Sequence, residues 1–218
     1  MIATPAERAS RNQSPELESD GRRQRAARNR EAVVGALLAI IKEQDGGPIP
    51  GAAEVAARAG VSERTVFRHF ADLESLFTAG AAHQRPVVAG YLLARPDDEE
   101  LEKRIAAVVR LRSKMWEDVG PIRRVALRVV LTDPSLAEIL NEANRASRQQ
   151  LAEVFAPELA RAGREKNLVL DELDLIAGFS SWEALRRQMG VSGERARRTL
   201  TSLLTGVLAP YARRRRSR

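Results

Sequence analysis

The stretch from Ala52 to Phe70 limits what this chain can fold into more than any other. Ala52 to Ala59 carries Val55, Ala56 and Ala59 at helical spacing and is closed by Gly60, a residue type that turns a helix end through left-handed backbone without a Cβ penalty. Ser62 can then cap a second helix running to Phe70, its hydroxyl accepting from a first-turn N–H. On a wheel of about 100° per residue, Arg64, Thr65, Arg68 and His69 fall within an arc of roughly 140°, while Val66 and Phe70 lie opposite. One face is made to pack and the other to reach outward. Guanidinium forks, a hydroxyl and an imidazole suit guanine edges and phosphate oxygens in a major groove wide enough to admit a helix. An ordinary αα corner has the same outline in proteins that never touch DNA, so the shape alone leaves both readings open.

The flanking sequence extends the helical pattern in both directions. Val33, Val34, Leu37, Leu38 and Ile41 recur at three- and four-residue spacing from about Ala26 to Gln44, and Asp45-Gly46-Gly47 ends that helix. Asp72 is placed to cap a fourth helix through Leu76, Phe77 and Ala81, with Pro86 kinking or ending it. Further helices are expected over about 98–118, 121–131, 134–162, 171–188 and 193–212. Asp133-Pro134 marks one start clearly, Gly120-Pro121 marks another more weakly, and Ser192 precedes the last. Aromatic residues make up only 4% of the chain and no alternating strand pattern occurs. The expected fold is therefore all-α, with about nine helices: a three-helix helix-turn-helix head over 24–72 and a helical body over 73–212. A polar arm over 1–23, expected to lack structure, and a basic tail over 213–218 flank them.

Charge and reactive residues narrow the function. The formal charge is +7, and the excess gathers at Arg22, Arg23, Arg25, Arg28 and Arg30 and in the tail from Arg213 to Arg218. That permits a polyanionic partner without choosing one, so a non-specific DNA or anionic-surface binder driven by the basic termini is a second reading. There is no cysteine, which excludes disulfides, thiolate catalysis and cysteine-held metals. Of the two histidines, His69 sits on the outward helix face and His83 on the fourth helix. Asp171 with Asp174, and Glu99 with Glu100, read as helix-start charges in place of a catalytic pair. No nucleophile motif, metal-ligand spacing or phosphate-cradling glycine loop appears, so neither an enzyme nor a metal or other cofactor is expected. The N-terminus lacks a signal-like apolar stretch and no run approaches the ~18 apolar residues that cross a bilayer, so a cytoplasmic protein with no membrane partner is expected.

The segment Glu54-Val55-Ala56-Ala57-Arg58-Ala59-Gly60-Val61-Ser62-Glu63-Arg64-Thr65-Val66-Phe67-Arg68-His69-Phe70, with Leu76-Phe77 following, resembles the DNA-binding signature of the TetR family of bacterial regulators. The resemblance is strong from about Ala27 to Phe77 and beyond that holds at the level of helix order. It implies a repressor that binds a double-stranded, palindromic operator as a homodimer and is released by a small-molecule effector. Ser62, Arg64, Thr65, Phe67, Arg68 and His69 would be the DNA-contacting set. The chain departs from the pattern at Phe67, where the family usually has tyrosine, and at Leu73, where it usually has lysine. Both positions commonly hold phosphate, and the arm arginines can take their place by tracking the backbone or entering the minor groove; the alternative is a solvated charge run. Phe179 to Arg187, followed by Gly190-Val191-Ser192, resembles the end of many such chains, in which the last two helices form the dimer. Phe179, Trp182, Leu200, Leu203, Leu204 and Val207 are the expected interface, against the plainer reading that these broad apolar faces are core. The implied effector site lies among the middle helices, with Phe77, Tyr91, Val108, Leu111, Met115, Trp116, Leu127 and Val130 as candidates. Their chemistry suits an apolar or amphipathic molecule.

Overall fold

A computed structural model describes the backbone over residues 5–94, 96–131 and 134–212, with side chains from residue 23 onward. The basic tail over 213–218 and the cap expected at Asp133 lie outside the described residues, as does the side chain of Arg22. Among the described residues every regular element is helical. The chain divides into two compact units between Gly80 and Ala81.

The first unit contains α1 (Pro5–Glu43), α2 (Ala52–Ala59), α3 (Glu63–His69) and most of α4 (Leu73–His83). Helix α1 begins at Pro5, well before the expected start near Ala26 and within the arm expected to lack structure. The segment mixes the helix formers Arg and Glu with Ser, Pro15 and Gly21 and carries almost no apolar residue. The apolar rows of α1 and α2 meet as their spacing requires: Val33, Leu37 and Ile41 are buried against Val55, Val66, Phe70 and Leu76. Each such side chain contributes on the order of 1.5–3 kcal/mol by leaving water. At the rim, Arg58 pairs with Glu43, and Gln44 Nε2 donates to Glu54 Oε1 at 2.8 Å. The expected boundary after Asp72 falls eight residues too early, because Leu76, Phe77 and Gly80 belong to the same core. A Cβ at Gly80 would stand 3.2 Å from Leu37 Cδ2, a closeness that only glycine accommodates without a shift.

The second unit contains α5 (Arg85–Leu92), α6 (Leu101–Val129), α7 (Pro134–Val154), α8 (Ala156–Ala162), α9 (Lys166–Ala177), α10 (Phe179–Glu183) with a π-helical turn over Ala184–Gln188, and α11 (Gly193–Leu208). Three expected boundaries are corrected. Gly120-Pro121 does not start a helix; α6 runs straight through it. An interior proline costs about 3 kcal/mol, yet Met115, Trp116, Val119, Ile122 and Val125 are all buried on the same helix, and their burial outweighs that cost. The expected helix over 134–162 is broken at Phe155, two residues ahead of Pro157, which cannot donate to a continuing ladder. The helix expected over 171–188 starts earlier, at Lys166, and is interrupted at Gly178, whose backbone is extended.

Helix α11 packs on α6 and α9 through Ala196, Leu200, Leu204 and Leu208, all fully buried, and Leu173, Phe155 and Leu159 complete the centre. Arginine also enters this core. Arg104 makes a two-pronged pair with Glu158 at 2.8 and 3.0 Å and donates to the Val154 carbonyl. Arg112, fully buried, donates to the Ser147 hydroxyl at 2.6 Å and the Ser147 carbonyl at 2.8 Å.

Candidate functional site

Helix α3 is set by its two ends. Gly60 adopts the left-handed conformation (φ 67°, ψ 31°), so its N–H reaches Ala57 O while that of Val61 reaches Ala56 O, closing α2 in a tight turn. Ser62 caps α3, its Oγ accepting from the Thr65 N–H at 3.2 Å and lying 3.0 Å from Thr65 Oγ1. At the far end Asp72 and Ser75 cap α4 reciprocally: Ser75 N–H donates to Asp72 Oδ1 at 2.7 Å and Asp72 N–H to Ser75 Oγ at 3.3 Å. The short helix is thereby fixed in place. Val66 and Phe70 point inward and are buried; Arg64, Phe67 and Arg68 are exposed. Thr65 is half-buried, its hydroxyl tied to the cap.

His69 is half-buried, and its Nε2 has no hydrogen-bond partner among the described residues. Burial, then the nearby Arg68 and Arg30 charges, lower its pKa below the ordinary 6.5, so the imidazole is neutral at pH 7. Arg30 stacks its guanidinium 4.9 Å from the centre of the Phe70 ring, which anchors one of the arm arginines to the head. Arg23, Arg25 and Arg28 are exposed on α1, and Leu73 is half-buried at the start of α4.

The second unit encloses a cavity of about 370 Å³. Gln84, Val88, Ala89 and Leu92 form one wall, Met115, Trp116, Val119, Ile122, Arg123 and Ala126 on α6 a second, and Ile139, Leu140, Ala143 and Ser147 on α7 a third. Trp116 is held rigidly: its Nε1 donates to the Ala177 carbonyl at 3.0 Å, and its ring meets Phe179 edge-on at 5.6 Å. Among the described residues, another hollow of about 820 Å³ is lined by Asp97, Asp98, Glu99, Glu100 and Glu102 with Arg104, Glu158 and Arg161. It is the larger of the two, but the apolar cavity with few polar groups is the one shaped like a small-molecule site. No group of acidic or histidine side chains able to hold a metal occurs among the described residues, and no helix there is long and apolar enough to cross a membrane.

Several solved structures superpose on this one. A tetR-family transcriptional regulator from Streptomyces coelicolor aligns with a TM-score of 0.68 at 16% identity, covering 84% of this chain and 82% of its own. A putative TetR-family regulator from Mesorhizobium loti aligns with a TM-score of 0.61 at 19% identity, over 85% of this chain and 98% of that one. The multidrug binding protein EbrR, complexed with imidazole, aligns with a TM-score of 0.54 at 24% identity, over 80% and 93%. The chain has the TetR-regulator fold. No family model matches the sequence, and no curated protein matches it.

On that fold the residues singled out from sequence fall unevenly. The α3 set, Ser62, Arg64, Thr65, Phe67, Arg68 and His69, stands together on one short helix and its cap. Of the cavity candidates, Met115 and Trp116 line it, while Tyr91, Val108, Leu111, Leu127 and Val130 do not; Phe77 is buried in the first unit. Tyr91 donates instead to Asp118 Oδ2 at 3.2 Å, and Leu127 is exposed. Of the interface candidates, Phe179 and Trp182 on α10 and Leu200 and Leu204 on α11 are buried within the single chain, where both helices pack on α6 and α9. They have no surface to offer a second copy. Leu203, 48% exposed, and half-buried Val207 do.

Sequence reasoning missed Gln84, Arg123 and α5. The signal for Arg123 was present: it stands seven residues after Trp116 and four after Val119, on the apolar stripe of α6. Splitting the helix at Pro121 hid that periodicity.

Proposed function

We propose that this protein is a sequence-specific, DNA-binding transcriptional regulator of the TetR type, acting as a repressor at a palindromic operator. The observation that carries the reading is α3: a helix capped at Ser62, anchored by buried Val66 and Phe70, and presenting Arg64, Phe67 and Arg68 to solvent. Residues 24–80 form the DNA-binding head and 81–212 the body that pairs and senses. In this reading Arg64 and Arg68 read guanine edges or phosphate, and neutral His69 donates to phosphate. The exposed ring of Phe67, which lacks the hydroxyl of a tyrosine, suits a thymine methyl.

A homodimer forms across the exposed edge of α11 at Leu203 and Val207, holding two recognition helices ~34 to 36 Å apart or at a multiple of that spacing. A small molecule in the α5–α6–α7 cavity favours one arrangement of the pair and so changes operator affinity. Selection from a random DNA pool, followed by affinity measurement against scrambled DNA at fixed physiological salt, tests the reading. A palindrome bound ~1,000-fold or more above scrambled DNA supports it. Equal affinity for both would replace it with charge-driven binding through the basic termini.

A further inference from the structure

The cavity holds one charge that nothing nearby cancels. Arg123 is half-buried with its Nε fully covered, lines the cavity and forms no ion pair among the described residues; its Nη2 donates to Asn144 Oδ1 at 2.6 Å, and its Nε has no partner among them. Its guanidinium lies 5.7 Å from the Trp116 ring centre and 5.6 Å from that of Phe179. Asn144 and both rings are neutral, so they orient the group without balancing it. Burial pulls the Arg123 pKa down, and no carboxylate acts in the opposite sense.

The acid on the cavity wall is already engaged: Glu142 pairs with Arg85. The contrast with Arg104 is informative, because that guanidinium, buried on the same helix, is answered by the Glu158 carboxylate at 2.8 Å. A buried cation facing only neutral groups pays a desolvation cost that an anion arriving with a ligand would offset. Gln84 adds a second unpaired polar atom, Oε1, on the opposite wall. Most of the remaining lining is aliphatic or aromatic, with Arg85 paired to Glu142, and with Ser147 and Gln149, also on it.

We infer that the cavity binds an amphipathic monocarboxylic acid, its carboxylate on the Arg123 guanidinium and its hydrocarbon body against Met115, Trp116 and Val119. A guanidinium offers a carboxylate charge-assisted hydrogen bonds, whereas an alcohol would leave the charge uncancelled and an amine would repel it. The volume, about 370 Å³, lies within the range of small-molecule sites. The inference deepens the effector half of the proposed function and rests on it only for the consequence at DNA.

Calorimetric titration of the full chain, without DNA, compares decanoate, decanol, decylamine and 2-naphthoate. The expected result is that at least one of the two acids binds about 10- to 100-fold more tightly than decanol or decylamine, the span of one hydrogen-bonded charge. Arg123→Met, which keeps the apolar stem against the rings, is expected to abolish the preference while leaving decanol binding unchanged, and Arg123→Lys to restore part of it. Equal binding of acid and alcohol, preference for the amine, failure of both acids to bind, or an acid preference that survives in Arg123→Met would each overturn the inference. Operator binding is measured separately. Acid-selective binding by a chain without sequence-selective DNA affinity would sink the regulator reading and leave this one, and the converse result would do the reverse.

Discussion

Arginine does opposite work in the two units. On α3, Arg64 and Arg68 stand in water at the surface of the head, while on α6 Arg104, Arg112 and Arg123 are turned into the body. An exposed guanidinium adds little to folding and keeps its full capacity for an outside partner. A buried one must be answered from within, and α6 shows three answers: a carboxylate for Arg104, neutral oxygens for Arg112, and for Arg123 an amide and two rings. Desolvation lowers the Arg112 pKa to about 10, still far above neutrality, so the group remains charged. In the proposed reading the same residue type marks a binding face in one unit and either a structural tie or a receptor in the other. Burial and pairing, rather than net charge, separate the cases.

That contrast can be broken by experiment. The largest effect is expected from Glu158→Ala, which strands Arg104 in the core and should lower stability by about 3–5 kcal/mol in chemical denaturation. Replacing both partners with apolar residues of similar volume should recover much of the loss. Burial alone would raise the Glu158 pKa, but hydrogen bonds and charge from Arg104, with help from Arg161, hold it below the ordinary carboxylate value. Its contribution is therefore complete above the unfolded-state pKa of about 4.3 and lost as pH falls through the lower folded-state value. The wild type should accordingly lose more stability on acidification than the apolar double variant.

Next in size is Arg68→Ala or Arg64→Ala, expected to weaken specific DNA binding by about 1–3 kcal/mol with the melting temperature unmoved. A fall in melting temperature to match would mean the head arginines are structural after all. Ser62→Ala should cost about 1 kcal/mol of stability through the lost cap, and should weaken DNA binding only as far as α3 frays. Smallest is the His69 titration. By NMR its midpoint should lie below 6.5, and Arg68→Ala should raise it part of the way, since burial is the larger cause. An unshifted midpoint in the wild type would show that the imidazole is solvated.

The head was legible because its information is local. Gly60, Ser62, Val66 and Phe70 specify a turn, a cap and two anchors within a few residues, and the structure joins them by bonds spanning three to five positions. The body was legible as helical but not as a container. Pro121 reads as a boundary by every local rule, and only the burial of side chains on both sides of it makes α6 one element. Leu200 and Leu204 could equally have faced a partner or the core, since periodicity says that a face is apolar without saying what covers it. The cavity wall was harder still, because Gln84, Arg123 and Asn144 come from separate segments and acquire meaning only when brought together.

The closure of the α11 core within one chain has a consequence for dose. With Leu200, Leu204 and Leu208 already covered within the chain, pairing in the proposed dimer through the remaining edge at Leu203 and Val207 would be a step separate from folding. In the proposed dimer, occupancy of a two-fold site at low abundance would rise with the square of the number of chains in the cell. Modest changes in synthesis or turnover would then shift the response as strongly as a bound ligand, giving the circuit a threshold that neither unit encodes by itself.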